Sequence, residues 1–135
     1  MTFLAKTVRE GIGEDFIRWA EGFAQDLARD DEGMGGKKKV SITQVRDIYG
    51  MVKRIEQRGL RAEELEELWV LKPRLAYSAK RHKESKLEKL KEVLLPALDA
   101  VCEPKLGDEA RVKRFKRFCQ GFEAILAYHK AHEKE

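Results

Sequence analysis

Apolar residues in this chain recur at steps of three and four almost from end to end, and that spacing constrains the fold more than any other feature. A helix turns once per 3.6 residues, so such steps put side chains on one face, whereas a strand needs strict alternation. No segment alternates in that way, and none repeats. Phe16, Trp19, Ala20, Phe23, Ala24 and Leu27 predict a helix over about 14–29. The stretch DDEGMGGKKKV follows, and its three glycines and like-charge runs predict a flexible loop over 30–40. Ser41 and Gln44 fit a capping box, in which each side chain satisfies a free backbone donor. The helix they open carries Val45, Ile48, Tyr49, Val52 and Ile55 on one face, with Gly59 as its C-terminal cap.

The remaining stripes follow the same rule. Leu65, Leu68, Leu75, Ala76 and Ala79 share a face over about 62–82, where Pro73 predicts a kink or a division into two helices. Ser85 and Glu88 suggest a second capping box, ahead of Leu87, Leu90, Leu94, Leu98 and Val101, with Pro96 near the middle. Asp108 is the expected cap of a last helix bearing Val112, Phe115, Phe118, Cys119, Phe122, Ile125 and Leu126. The expected fold is all-α, a compact bundle of five to six amphipathic helices. An N-terminal extension over 1–13, one helical domain over 14–131 and a frayed C-terminus over 132–135 complete the expected layout.

Several function classes find no support. No apolar run approaches the roughly 20 residues that span a bilayer, and the first residues have no signal-peptide core, so a cytoplasmic protein without a membrane partner is expected. Cys102 and Cys119 sit among apolar residues without metal-ligand spacing and are expected to be buried thiols. Three histidines, His82, His129 and His132, offer no nucleophile–base pair. The last two share a helix face but lack a carboxylate companion, so they read as surface residues rather than metal ligands. There is no phosphate-binding glycine motif. No enzyme activity, cofactor or metal is expected.

Charge is the more informative quantity. Charged residues make up 39% of the chain, against about 25% in an average protein. The net charge is −4 over residues 1–36, +7 over 37–86 and +1 over 87–135. A positive middle suits an anionic polymer, and equally a solvated lysine-rich face. On the second helix Arg46, Gly50, Lys53 and Gln57 form a polar stripe beside the apolar one. Gly50 there admits either a close ligand or tight helix packing. On the third region Arg74, Tyr77 and Arg81 share a stripe. Arginine binds phosphate bidentately, and tyrosine can stack on an unpaired base, or serve only as a core-edge residue. Glu56 falls within an apolar stripe and should find a basic partner.

Three stretches, TQVRDIYGMVKRIE (43–56), LKPRLAYSAKR (71–81) and FEAILAYHK (122–130), occur in an order and spacing that resemble the small subunit of the type III-A CRISPR effector, the Csm complex. The similarity runs from about Ser41 to Lys130. The resemblance implies a non-catalytic helical subunit that stacks along a ribonucleoprotein filament, beside guide RNA and target RNA. Its protein partners would be the large signature subunit, the repeated backbone subunits and further copies of itself. Carried onto this chain, the RNA-facing positions are Arg46, Lys53, Arg54, Lys72, Arg74 and Arg81, while Tyr77 and the AYHK end shape the fold. Tyr77 is kept among the candidate RNA-binding residues on its place in the basic stripe. Asp47 departs from the family, which often carries a second basic residue after Arg46. Two alternatives stand beside this reading: a helical protein–protein module without nucleic acid, and a helix-turn-helix DNA-binding regulator suggested by SITQVRDIYGMVKR.

Overall fold

The computed structural model describes residues 3–59 and 62–133, and of 62–64 the backbone alone. Six α-helices follow one another: α1 (Phe3–Glu10), α2 (Glu14–Leu27), α3 (Ile42–Arg58), α4 (Ala62–Arg81), α5 (Leu87–Val101) and α6 (Asp108–His132). A 3-10 turn, Glu32–Met34, lies between α2 and α3. The all-α bundle expected from periodicity is what forms.

Local chemistry explains most of the boundaries. The Ser41 hydroxyl accepts from the Gln44 amide at 3.1 Å, and the Gln44 side chain accepts from the Ser41 amide at 3.0 Å, so the expected capping box opens α3. Gly59 closes it at a φ of 84°, where a Cβ would be strained. The other two expected caps are corrected. Asp108 lies in the first turn of α6, behind Gly107 as cap, where its charge still faces the positive helix end. Ser85 does not form a capping box with Glu88; its hydroxyl donates to the His82 carbonyl and accepts from the Leu87 amide. Pro73 divides nothing: α4 runs through it, as α5 runs through Pro96.

The core is one cluster of side chains drawn from all six helices. Helix α6 touches α1, α2, α3 and α5, while α4 touches only α3 and α5. Phe115, Phe118, Phe122 and Ile125 of α6 are buried as expected, but Val112 is exposed. Residues 3–10, treated from sequence as part of an extension, form α1, whose Leu4, Ala5 and Val8 are buried against α5 and α6. Met1 and Thr2 lie outside the described residues. At the other end the helix runs through His132, so that residue is not frayed, and Glu133 follows as its cap. Residues 134 and 135 lie outside the description.

The segment over 30–40 departs furthest from expectation. Its backbone is tied at four places: Asp31 to Lys37, Lys38 to both Glu84 and Lys86, and Val40 to Leu27. Lys86 is 2% exposed, and its ammonium meets Asp26 at 3.2 Å, Asp31 at 2.8 Å and the Asp26 carbonyl at 2.7 Å. His129, expected on the surface, is fully buried. Its Nε2–H donates to the Val40 carbonyl at 2.7 Å, which fixes the tautomer because a carbonyl only accepts. The glycine-rich composition suggested mobility, yet partners 46 to 89 residues away hold the segment down.

Candidate nucleic-acid interface

Helices α3 and α4 are consecutive, and the ion pair between Arg58 and Glu67 ties the end of α3 to the start of α4 in a helical hairpin. Each buries one flank: Val45, Ile48, Val52 and Ile55 on α3, and Leu68, Leu71, Leu75 and Ala79 on α4. Between the two helices lies a groove of about 590 Å³, with Met51, Ile55, Val70 and Leu71 as its apolar lining. Arg54, Arg58 and Arg74 stand around it, with Glu66 and Glu67 near the hairpin end.

The groove brings Arg54 of α3 and Arg74 of α4 together from separate helices. Arg54 is steadied by donating to the Gly50 carbonyl at 3.3 Å. From Arg54 back to Arg46 is about 12 Å along α3, and from Arg74 on to Arg81 is about 10 Å along α4, at 1.5 Å per residue. Both pairs lead away from the 58–62 connection; Arg74 and Arg81 share a face of α4, whereas Arg46 shares its face of α3 with Lys53 and stands about 80° round the helix from Arg54. Arg46, Arg74 and Arg81 are exposed, and no other described side chain engages them. Tyr77 is 66% exposed and is not a core-edge residue.

Two of the expected positions lie elsewhere. Lys53 faces the α6 side of α3 and pairs with Glu56 at 2.8 Å, which supplies the partner that Glu56 required. That hydrogen bond holds the ammonium firmly protonated. Lys72 lies on the α5 side of α4, paired with Asp99 and seated 5.0 Å from the centre of the Trp69 ring. An exposed pair of this kind is worth about 0–1 kcal/mol, so a stronger anion can recruit Lys53, whereas Lys72 is held by Asp99 and the Trp69 ring together. Arg58 was missed from sequence, although its place four residues after Arg54 puts both on one helix face.

Gly50 packs against nothing: a Cβ built there meets no atom within 4 Å, so helix packing is not its role. Tyr49 rests edge-on against Phe122 at 5.3 Å. Cys102 and Cys119 are buried free thiols. Burial pushes the Cys119 thiol far up, and Glu56 beside it adds to the effect, so it stays protonated and inert. In the AYHK end, Tyr128 and the buried His129 pack into the core, in keeping with a structural part.

The helix-turn-helix alternative, with α3 as recognition helix, lacks a companion helix close before it. That motif joins its helices by a turn of about three or four residues. Here residues 28–41 separate α2 from α3. Among the described residues no group of three His, Cys, Asp or Glu side chains is placed to hold a metal. No described helix is long and apolar enough to cross a membrane.

No curated protein and no solved structure matches this chain. The model of the Csm2 Type III-A family matches residues 14–135, which takes in every helix from α2 to α6 and leaves α1 outside.

Proposed function

The chain belongs to the Csm2 type III-A family, a small subunit of the type III-A CRISPR effector, and from that premise we propose that it binds RNA through the α3–α4 hairpin. The ligand is the sugar–phosphate backbone of guide RNA, of target RNA, or of both. Arg54 and Arg74 hold phosphates at the groove, and Arg46 and Arg81 continue the track. Lys53 flanks it as a reserve cation, and Lys72 stays with Asp99 and Trp69. The observation that carries this reading is the convergence of Arg54 and Arg74, from two helices, on one open groove.

The mechanism is electrostatic. Each arginine that replaces a condensed counterion on a phosphate releases that ion, which favours association and makes it salt-dependent. Such contacts position a strand without reading it, so sequence selection falls to base pairing. The chain supplies no catalytic group in this account. It stacks in the filament with further copies of itself, against the large signature subunit and the repeated backbone subunits, in the cytoplasm.

Purifying the tagged chain from its native cells and sequencing the RNA that accompanies it tests this function. Short RNAs sharing one repeat-derived end are expected. Bulk cellular RNA, or none, would contradict it.

A further inference from the structure

We propose that the outward face of α4 is a stacking platform for unpaired bases of single-stranded RNA, with Tyr77 and Trp69 as its two rings. The proposal rests on the RNA-binding reading and adds to it the kind of RNA the face selects.

Among the described residues α4 packs only against α3 and α5, which leaves one side of it to solvent. On that side Tyr77 is 66% exposed and Trp69 is 50% exposed. Single exposed apolar residues are ordinary, so it is the pairing of two rings with cations on one side of a helix that points to a ligand. Side chains three and four residues apart are neighbours on a helix surface. The neighbours of Tyr77 are therefore Pro73, Arg74, Lys80 and Arg81, and all four are exposed. Residues 68–83 hold five lysines and arginines and no acidic residue. A protein partner for an apolar patch does not require such a setting, whereas a polyanion with flat apolar bases matches both the rings and the cations.

Trp69 is also held in place. The Lys72 ammonium covers one side of its ring at 5.0 Å, and Asp99 of α5 secures that ammonium in turn. Trp69 stays half exposed with Lys72 in place, so part of the ring is open to a base. A preordered ring loses less freedom on binding.

Spacing decides what kind of strand fits. Eight residues of helix separate Trp69 from Tyr77 by about 12 Å. Stacked bases in one strand of a duplex follow each other at about 3.4 Å. The two rings therefore take separate, splayed bases rather than consecutive stacked ones. A regular duplex, whose base faces are covered, offers them nothing.

The chain has two tryptophans, so Trp19→Phe leaves Trp69 as the only reporter. The probes are a 12-nucleotide single-stranded RNA, the same RNA in a duplex, and heparin, a polyanion without bases. Affinity is read by anisotropy or competition, and stacking by Trp69 emission. Single-stranded RNA is expected to quench Trp69, while heparin and duplex bind without quenching. Tyr77→Ala and Trp69→Ala should each weaken the single strand about 5- to 100-fold, the effect of one lost base stack. Both should leave duplex and heparin affinity nearly unchanged, and Tyr77→Trp should restore single-strand binding. If Trp19→Phe fails to fold, the difference in quenching between wild type and Trp69→Leu gives the same reading. RNA binding with unmoved Trp69 emission overturns the platform and leaves the phosphate track standing. An emission change that follows protein concentration instead of RNA assigns the face to a protein contact and also overturns it. Absence of binding to all three probes removes the RNA-binding reading itself, and the platform with it.

Discussion

A Cβ added at Gly50 would meet no atom within 4 Å, whereas at Gly121 it would lie 2.5 Å from Leu4 Cδ1 and 3.2 Å from Phe16 Cζ. Both glycines sit inside helices, and the sequence alone does not tell them apart. Glycine costs about 1 kcal/mol against alanine in a helix interior. Gly50→Ala should therefore gain about 0.5–1 kcal/mol, seen as a higher denaturant midpoint with an unchanged slope. Gly121→Ala has the same propensity gain, set against overpacking of about 1–3 kcal/mol, because the fully buried Leu4 has little room to retreat. It should give no gain or a net loss, and equal gains at the two sites would contradict this packing. Site residues show the same limit. Helical spacing makes Arg46, Arg54, Arg74 and Arg81 legible as surface cations. It does not say that Glu56 occupies Lys53 or that Asp99 and Trp69 occupy Lys72, since Asp99 lies 27 residues from its partner.

Among the elements, helices α2 to α6 were legible because each carries a long apolar stripe, and the α3 caps because Ser, Gln and Gly act through local backbone geometry. The 30–40 segment was not legible, because what fixes it is a lysine some 60 residues away. Lys86→Ala would remove the buried one of the two cations that bridge Asp26 and Asp31, leaving the more exposed Arg29 between them. The expected cost is about 3 kcal/mol, at the low end for a broken buried pair because both carboxylates reach water. Amide exchange at Lys38 and Val40 should accelerate by more than at α6, and uniform acceleration would contradict a local clasp. The same clasp sets an acid limit. Burial raises the Asp26 pKa, but hydrogen bonds from Lys89 and Lys86 outweigh it, and the net value is lowered. Hydrogen bonds from Arg29 and then Lys86 hold Asp31 down to about 2. A carboxylate depressed in the folded state stabilises above its unfolded pKa of about 3.9, and that contribution disappears as pH falls through the folded value. The segment should thus loosen between about pH 4 and pH 2, a response that Asp31→Asn should reduce in the exchange profile at Lys38 while the share of Asp26 remains.

At the scale of the whole molecule, α1 shows why a short element escapes a periodicity reading. Eight residues present Leu4, Ala5 and Val8 as buried apolar side chains with the partly buried Phe3 beside them, too short a stripe to stand out, yet one that packs against α5 and α6. The family match begins at residue 14, so α1 lies outside it while closing the core. Leu4→Ala should cost about 2–5 kcal/mol, the range for a truncated buried leucine. A change below about 1 kcal/mol in a thermal or denaturant melt would mean that α1 is dispensable. The middle of the chain carries +7 of charge, and the cations proposed to face RNA are divided between α3 and α4, which share a groove. Whether Arg46, Arg54, Arg74 and Arg81 form one phosphate track is best read from the salt dependence of affinity for single-stranded RNA. The measurement compares wild type with a variant carrying all four as alanine, with the fold of each checked by circular dichroism. At about 0.7 units of log–log slope per phosphate contact, the variant should lose about three units of slope and most of its affinity. A folded variant that keeps the wild-type affinity and slope would show that RNA is held elsewhere or not at all.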